Sequence, residues 1–205
     1  MIPVHQSQKP LAVAILSGGE SKRMGSPKAL ITYRGKTFIE HLLEVTRHPR
    51  IGVTRIVLGA HVDQIGKVLG GHAADIVVNE QWAKGQLSSI QAAIRSLPPG
   101  ETEGLMLCPV DRPLISATLV AQLIDAFDRS GKLIALPVYR GSRGHPVVFR
   151  HLLYEELLSA SPHLGARQVI WAHPGQVEEV ATEEEGVIIN IDDQDTLRRV
   201  QEKLV

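Results

Sequence analysis

Residues 11–28 read LAVAILSGGESKRMGSPK, an apolar run that enters Ser17, Gly18 and Gly19 and leaves through Arg23, Gly25 and Lys28. Adjacent glycines let a backbone approach a ligand closely and turn its N–H groups toward phosphate oxygens, while an arginine and a lysine nearby supply charge. These types and spacings suit a polyphosphate cradle. The loop has neither the G-x-x-x-x-G-K-[ST] of a P-loop nor the G-x-G-x-x-G of a dinucleotide fold. An ordinary strand-to-helix turn with solvated cations is the alternative. Asn79 leads into Gly85 and the hydroxyls of Ser88 and Ser89, which either cap a helix or present donors to a base and ribose. Asp111 ends the run GLMLCPVD. A carboxylate at the carboxyl end of a buried parallel strand, beside a phosphate loop, suits Mg²⁺ bridging phosphate oxygens; a loop turn at Asp111-Arg112-Pro113 is the plainer reading. His145 either meets an acceptor phosphate or is a hydrogen-bonded structural residue, with no second His or Cys at zinc-ligand spacing. Cys108, the one cysteine, reads as core and carries no chemistry.

Positioning these residues requires a scaffold. Short apolar runs recur at residues 11–16, 55–60, 75–79, 104–111, 133–139 and 186–192, mostly continuous, as in strands covered on both faces. Between them lie helical stripes: Phe38, Leu42 and Val45; Ile90, Ala93, Ile94 and Leu97; Val120, Leu123, Ile124 and Phe127. Ser116 suits a cap for the third, and Pro98-Pro99 must end the second. The alternation predicts an α/β fold: a mostly parallel sheet with helices on both faces and ligands beyond the carboxyl ends of its strands. Past residue 139 come a Gly-rich turn, a helix over residues 151–160, a strand candidate at 177–182, the run 186–192 and a terminal helix over 196–204. We expect one domain over residues 1–205, with 11–130 as the nucleotide-binding core and 131–205 as the acceptor-side and sheet-completing part.

The 205 residues are 43% apolar and carry 22 basic against 22 acidic side chains, so a substantial core forms and no bulk charge favours nucleic acid or a membrane surface. A single cysteine excludes an intramolecular disulfide framework and any zinc site built on several thiolates. The polar start and the short first apolar run point to a cytoplasmic protein without a membrane span.

The string S-G-G-x-S-x-R-M-G-x-x-K resembles the signature loop of MobA/MocA-like NTP transferases, the molybdenum-cofactor cytidylyltransferases and guanylyltransferases. Leu16, Gly19, Ser21, Arg23, Met24, Gly25 and Lys28 match it, and Ser17 replaces a common Ala. Similar family segments are N-x-x-W-x-x-G at Asn79–Gly85, D-x-P at Asp111, G-H-P-x-x-F at Gly144–Phe149 and [DN]-I-[DN] at Asn190–Asp192. The chain departs at Arg112, at Pro162-His163 before the Gly165-Ala166-Arg167 element, and at Asp193 and Gln194. The resemblance implies a three-layer Rossmann-like nucleotidyltransferase fold in which Arg23 and Lys28 hold NTP phosphates, with the Gly18-Gly19 backbone near the base. It also implies that Asp111 and a residue of 190–192 hold Mg²⁺. Residues 186–192 are expected to be a strand, and of Asn190 and Asp192 one is taken to enter the cleft as the second metal ligand; Asp192 is preferred. The implied reaction joins an NTP, CTP before GTP, to a phosphorylated small molecule of molybdopterin type, with a molybdoenzyme partner or a homodimer left open. Methylerythritol-phosphate or sugar-phosphate transfer, and a nucleotide-binding regulatory protein without turnover, are the alternatives; a nicotinamide-dependent dehydrogenase is more distant. The acidic run 183–185 reads as solvated surface.

Overall fold

The computed structural model describes residues 9–70 and 75–202. Strand β1 (Leu11–Ser17) is buried along its whole length, as its unbroken apolar run requires. A two-stranded ribbon follows, β2 (Thr32–Tyr33) with β3 (Lys36–Thr37), and then helix α1 (Phe38–Val45). Thr37 starts that helix through a capping box: its hydroxyl accepts from the Glu40 amide, and the Glu40 carboxylate accepts from the Thr37 amide at 2.8 Å. Next come β4 (Ile51–Leu58), α2 (Val62–Leu69), β5 (Asp75–Val78), α3 (Gln86–Arg95) and β6 (Gly104–Pro109). Helix α4 (Ala117–Ser130) is capped by Ser116, whose hydroxyl accepts from the Leu119 amide at 3.1 Å. Then follow β7 (Ile134–Tyr139), β8 (Ser142–Arg143), β9 (Val147–Arg150), α5 (Tyr154–Ser159), α6 (Arg167–Ala172), β10 (Val177–Ala181) and α7 (Gln194–Glu202).

The sheet runs β10-β7-β9-β6-β1-β4-β5, with β8 paired to β7. Strands β6, β1, β4 and β5 are mutually parallel, and β10 is parallel to β7, whereas β9 runs antiparallel to both neighbours. Two apolar layers cover its faces. One holds Phe38, Leu42, Leu123 and Phe127, the other Leu87, Ile90, Ile94 and Leu157. This is the expected α/β, Rossmann-like architecture, with the central β1–β6 pair delivering the glycine loop and the Asp111 turn to one end.

Three sequence expectations need correction. The run at 186–192 is not a strand: it makes a 3-10 turn at Glu185–Val187 and then crosses the strand ends, its Ile191 amide donating to the Asp111 carbonyl at 2.8 Å. β9 pairs with both β6 and β7, and β10 takes the remaining side of β7, so sheet positions near this run are filled. Its apolarity instead buries Val187 and Ile191 in the apolar layer that also holds Phe38, Leu42, Leu123 and Phe127. Second, residues 147–150, read only as part of a motif, form β9 and make the sheet mixed. Third, the acidic run 183–185 is not simple solvated surface, since the Glu184 carboxylate accepts from the Ser116 amide at 3.0 Å and from its hydroxyl. The terminal helix begins two residues early, and its expected end at 204 lies outside the described residues. No helix among the described residues is long and apolar enough to cross a membrane.

Candidate functional site

The glycine loop folds as the carboxyl end of β1 opens into a short 3-10 turn, Lys22–Met24, bounded by left-handed Ser21 (φ 55°) and Gly25 (φ 72°). Ser21 also fixes the loop's return, its Oγ accepting from the Lys28 amide at 3.1 Å. The Gln194 amide nitrogen donates to the Met24 carbonyl at 2.9 Å, tying the start of α7 to the same loop. Gly59, after β4, allows a close approach: a Cβ there would lie 2.4 Å from the Gly18 carbonyl oxygen and 2.5 Å from Trp82 Cβ.

A cavity of about 410 Å³ opens on this loop, lined by Leu16 to Arg23, Lys28, Trp82, Gly85, Gln86, Ser89, Pro109 to Asp111 and Asp192. At its floor the Lys28 ammonium donates to Asp192 Oδ1 and lies 3.5 Å from Asp111 Oδ2. Arg23 Nη2 stands 3.5 Å from Asp192 Oδ2. Positions 28, 111 and 192, remote in sequence, therefore meet at one point. Burial raises the Asp111 pKa; the Lys28 charge opposes this and the Asp192 charge adds to it.

Of the expected nucleotide contacts, Leu16, Ser17, Gly18, Gly19, Ser21, Arg23, Lys28, Gly85 and Ser89 line this cavity. Asn79, Ser88 and Gly25 do not. Asn79 is buried and its amide donates to Ser88 Oγ at 2.8 Å and Ser89 Oγ at 3.0 Å, so it braces α3 beneath the cavity. Ser88 is turned toward the Gly85 and Gln81 carbonyls, and neither serine caps the helix, whose cap position is Gly85. Gly25 supplies a left-handed turn. Cys108 is buried, with its thiol pushed up to about 12 by burial, as a core residue should be.

His145 faces a second cavity of about 650 Å³. This cavity adjoins the first, sharing Leu16, Gln86 and Asp111 with it. Its walls combine Leu107, Leu136, Phe149 and Ile170 with Arg112, Arg143 and Arg167. Arg112 donates to the Val187 carbonyl at 3.1 Å, and Arg143 pairs with Glu179 at 2.7 Å. Burial pushes the His145 pKa down to about 4, helped by the charges of Arg112 and Arg167 and partly opposed by the Leu107 backbone. The imidazole is thus neutral near pH 7, and its buried Nδ1 has no hydrogen-bond partner. An unfolded histidine takes its proton near pH 6.5, so between 6.5 and 4 the unfolded chain binds more protons and stability falls as pH falls. Urea unfolding of His145→Gln is expected to lose less stability than the parent across that window; equal losses would contradict the assignment.

Asp192 and Asn190 are not alternatives, because their side chains lie together and bond to each other. The Asn190 amide nitrogen donates to Asp192 Oδ2, while its buried Oδ1 is without a partner. Asp111 and Asp192, brought together on the Lys28 ammonium, offer hard carboxylate oxygens, which fit Mg²⁺ or Mn²⁺ rather than a thiolate-preferring metal. Sequence reasoning also missed Trp82 and Gln86 as lining residues. The position of Gln86, directly after a glycine and opening a helix, is the signal that marks it.

Residues 13–177 match the MobA-like NTP transferase domain. The chain belongs to that family. Among its MobA-like relatives, a probable molybdenum cofactor guanylyltransferase of Bacillus cytotoxicus is 30% identical over 66% of this chain, a stretch spanning 65% of that relative's own length. Nicotine blue oxidoreductase of Paenarthrobacter nicotinovorans is 29% identical over 91% of this chain and 94% of its own. Two crystal structures of Rv0371c from Mycobacterium tuberculosis, each 24% identical, share the fold. One has a TM-score of 0.83, covering 96% of this chain and 99% of its own; the other, a manganese complex, has 0.75, covering 94% and 98%.

Proposed function

We propose that this MobA-like chain is a divalent-metal-dependent nucleotidyltransferase that moves an NMP from an NTP to a phosphorylated small molecule and releases pyrophosphate. The observation that carries the reading is the convergence of Lys28, Asp111 and Asp192 at the floor of a glycine-loop cavity that opens into a second, arginine-lined cavity. An acceptor phosphate oxygen in the second cavity attacks the α-phosphorus. The bond to the α–β bridging oxygen breaks, and its electron pair leaves with pyrophosphate. Arg23 and Lys28 neutralise the polyphosphate as charge grows on that leaving group, and the Ser17–Gly19 backbone positions the nucleotide. Asp111 and Asp192, with Asn190 beside them, would hold the cation, which when bound supplies further charge neutralisation at the phosphates. Arg112, Arg167 and neutral His145 line the acceptor end, where the arginines supply charge and the imidazole a hydrogen bond.

On the base, the Gly144-His145-Pro146 segment favours CTP, whereas the Bacillus relative's name favours GTP. Pyrophosphate release measured with each nucleotide against molybdopterin-type, methylerythritol-phosphate and sugar-phosphate acceptors tests both base and acceptor. Product with one pair and not the others is expected. Tight nucleotide binding with no pyrophosphate from any pair would favour the regulatory protein without turnover. A second reading, an oxidoreductase on the same scaffold, is favoured by the near full-length match to nicotine blue oxidoreductase. Oxidation of a reduced nicotinamide cofactor in the absence of any NTP would replace the first reading with it.

A further inference from the structure

We propose that Lys28 is the internal counter-ion of Asp111 and Asp192, so that the carboxylate pair accepts a divalent cation well only when a triphosphate draws the Lys28 ammonium away. This rests on the nucleotidyltransferase reading and adds an order and a coupling to it. The ammonium already occupies the carboxylates: it donates to Asp192 Oδ1, lies 3.5 Å from Asp111 Oδ2, and its side chain is 13% exposed. The other Asp192 oxygen is taken by the Asn190 amide and by Arg23 at 3.5 Å. An ammonium offers donors only, so it competes with a metal ion for these oxygens and repels it.

The remaining donor set is small. Among the described residues no group of three or more His, Cys, Asp and Glu side chains is placed to hold a metal ion. Mg²⁺ characteristically draws on one or two carboxylates and completes its shell with water and substrate phosphate. A bound triphosphate changes both sides of this balance. It gives Lys28 a partner of higher charge, and it brings the oxygens that two carboxylates lack. Because coupling between two binding events is reciprocal, the metal must then tighten nucleotide binding by the same factor. Without ligand, Lys28 screens two carboxylates that would otherwise face each other across the cavity floor.

The probe is MnCl₂, followed by electron paramagnetic resonance as the free-ion signal disappears, with and without an unreactive α,β-methylene analogue of CTP or GTP. The parent chain is expected to bind Mn²⁺ at least about tenfold more tightly with the analogue than without it, within the usual range of coupling between sites. Lys28→Met is expected to bind Mn²⁺ alone at least about tenfold more tightly than the parent, with most of the nucleotide coupling gone. Lys28→Gln, which keeps a polar side chain, guards against a Met variant that folds poorly and is expected to behave the same way. Asp111→Asn should weaken Mn²⁺ binding in every condition. Folded Lys28 variants that bind Mn²⁺ alone no more tightly than the parent would overturn the proposal, while a normal parent complex of Mn²⁺ and analogue would leave the nucleotidyltransferase reading standing. If the parent binds no Mn²⁺ even with either analogue, both fall.

Discussion

Alanine at Lys28, or asparagine at Asp111, is expected to cut pyrophosphate release by about a hundredfold to a thousandfold, the range for losing one preorganised electrostatic group from an active site. Among the described residues Lys28 is the one cation that touches both carboxylates, and its ammonium sits at the cavity floor, where charge on a bound polyphosphate is least screened by water. Asp111 stands where the two cavities meet, so its loss acts on metal and acceptor alignment together. The Asp111 substitution is isosteric, and its backbone carbonyl, which accepts from Ile191, is untouched. A circular dichroism spectrum and a unfolding midpoint close to the parent's should therefore accompany the lost activity. Turnover within a few-fold of the parent in either folded variant would remove these residues from the chemistry. The kinetic pattern separates their roles: Lys28→Ala should raise the KM for NTP as well as lower kcat, because a phosphate contact is lost in the ground state too.

The core sheet was legible because its strands are short, continuous apolar runs separated by helical stripes of a different period. Periodicity reports burial, however, and burial does not distinguish a strand from an irregular segment pressed against the core. Val187 and Ile191 are fully buried, yet their segment crosses the strand ends and adds nothing to the sheet. Conversely, β9 is four residues long, and its pairing is decided by neighbours remote in sequence. The site was legible where one side chain type has few other reasons to be present, as with Lys28 after a glycine loop and Asp111 after a buried strand. It was misread where a polar side chain has two uses. Asn79 and Ser88 share a motif with Gly85 and Ser89, but buried amide and hydroxyl groups must find partners, and these two find each other. The choice between Asn190 and Asp192 failed for a simpler reason: residues two apart share one face even of a strand, so spacing never set them apart, and here the two side chains bond to each other.

The segment that carries Asp192 has a weak point away from the cavity. Gly186 is packed so closely that a Cβ there would lie 1.8 Å from the Leu114 carbonyl oxygen and 2.7 Å from its carbon. These are backbone atoms, so no rotamer change can relieve the overlap. A Cβ at Gly144, on the other side of the segment, would lie 2.5 Å from the Val187 carbonyl oxygen. Gly186→Ala is therefore expected to lift residues 186–192 off the strand ends, breaking the Ile191–Asp111 hydrogen bond and exposing Val187 and Ile191. The cost should be about 4 kcal/mol, at the upper end for single substitutions. Gly66, inside α2 with nothing within 4 Å of its Cβ direction, is the opposite case. There alanine removes backbone freedom from the unfolded chain and should stabilise by up to about 1 kcal/mol. Urea unfolding of the two variants against the parent tests both signs at once. Under conditions where Gly186→Ala is still folded, its Mn²⁺ and NTP affinity should also fall, because the Asp192 carboxylate stays at the cavity beside Asp111 only while this segment is seated. A Gly186→Ala chain as stable as the parent would mean that Asp192 is held in place by its ion pairs alone rather than by the packing beneath it.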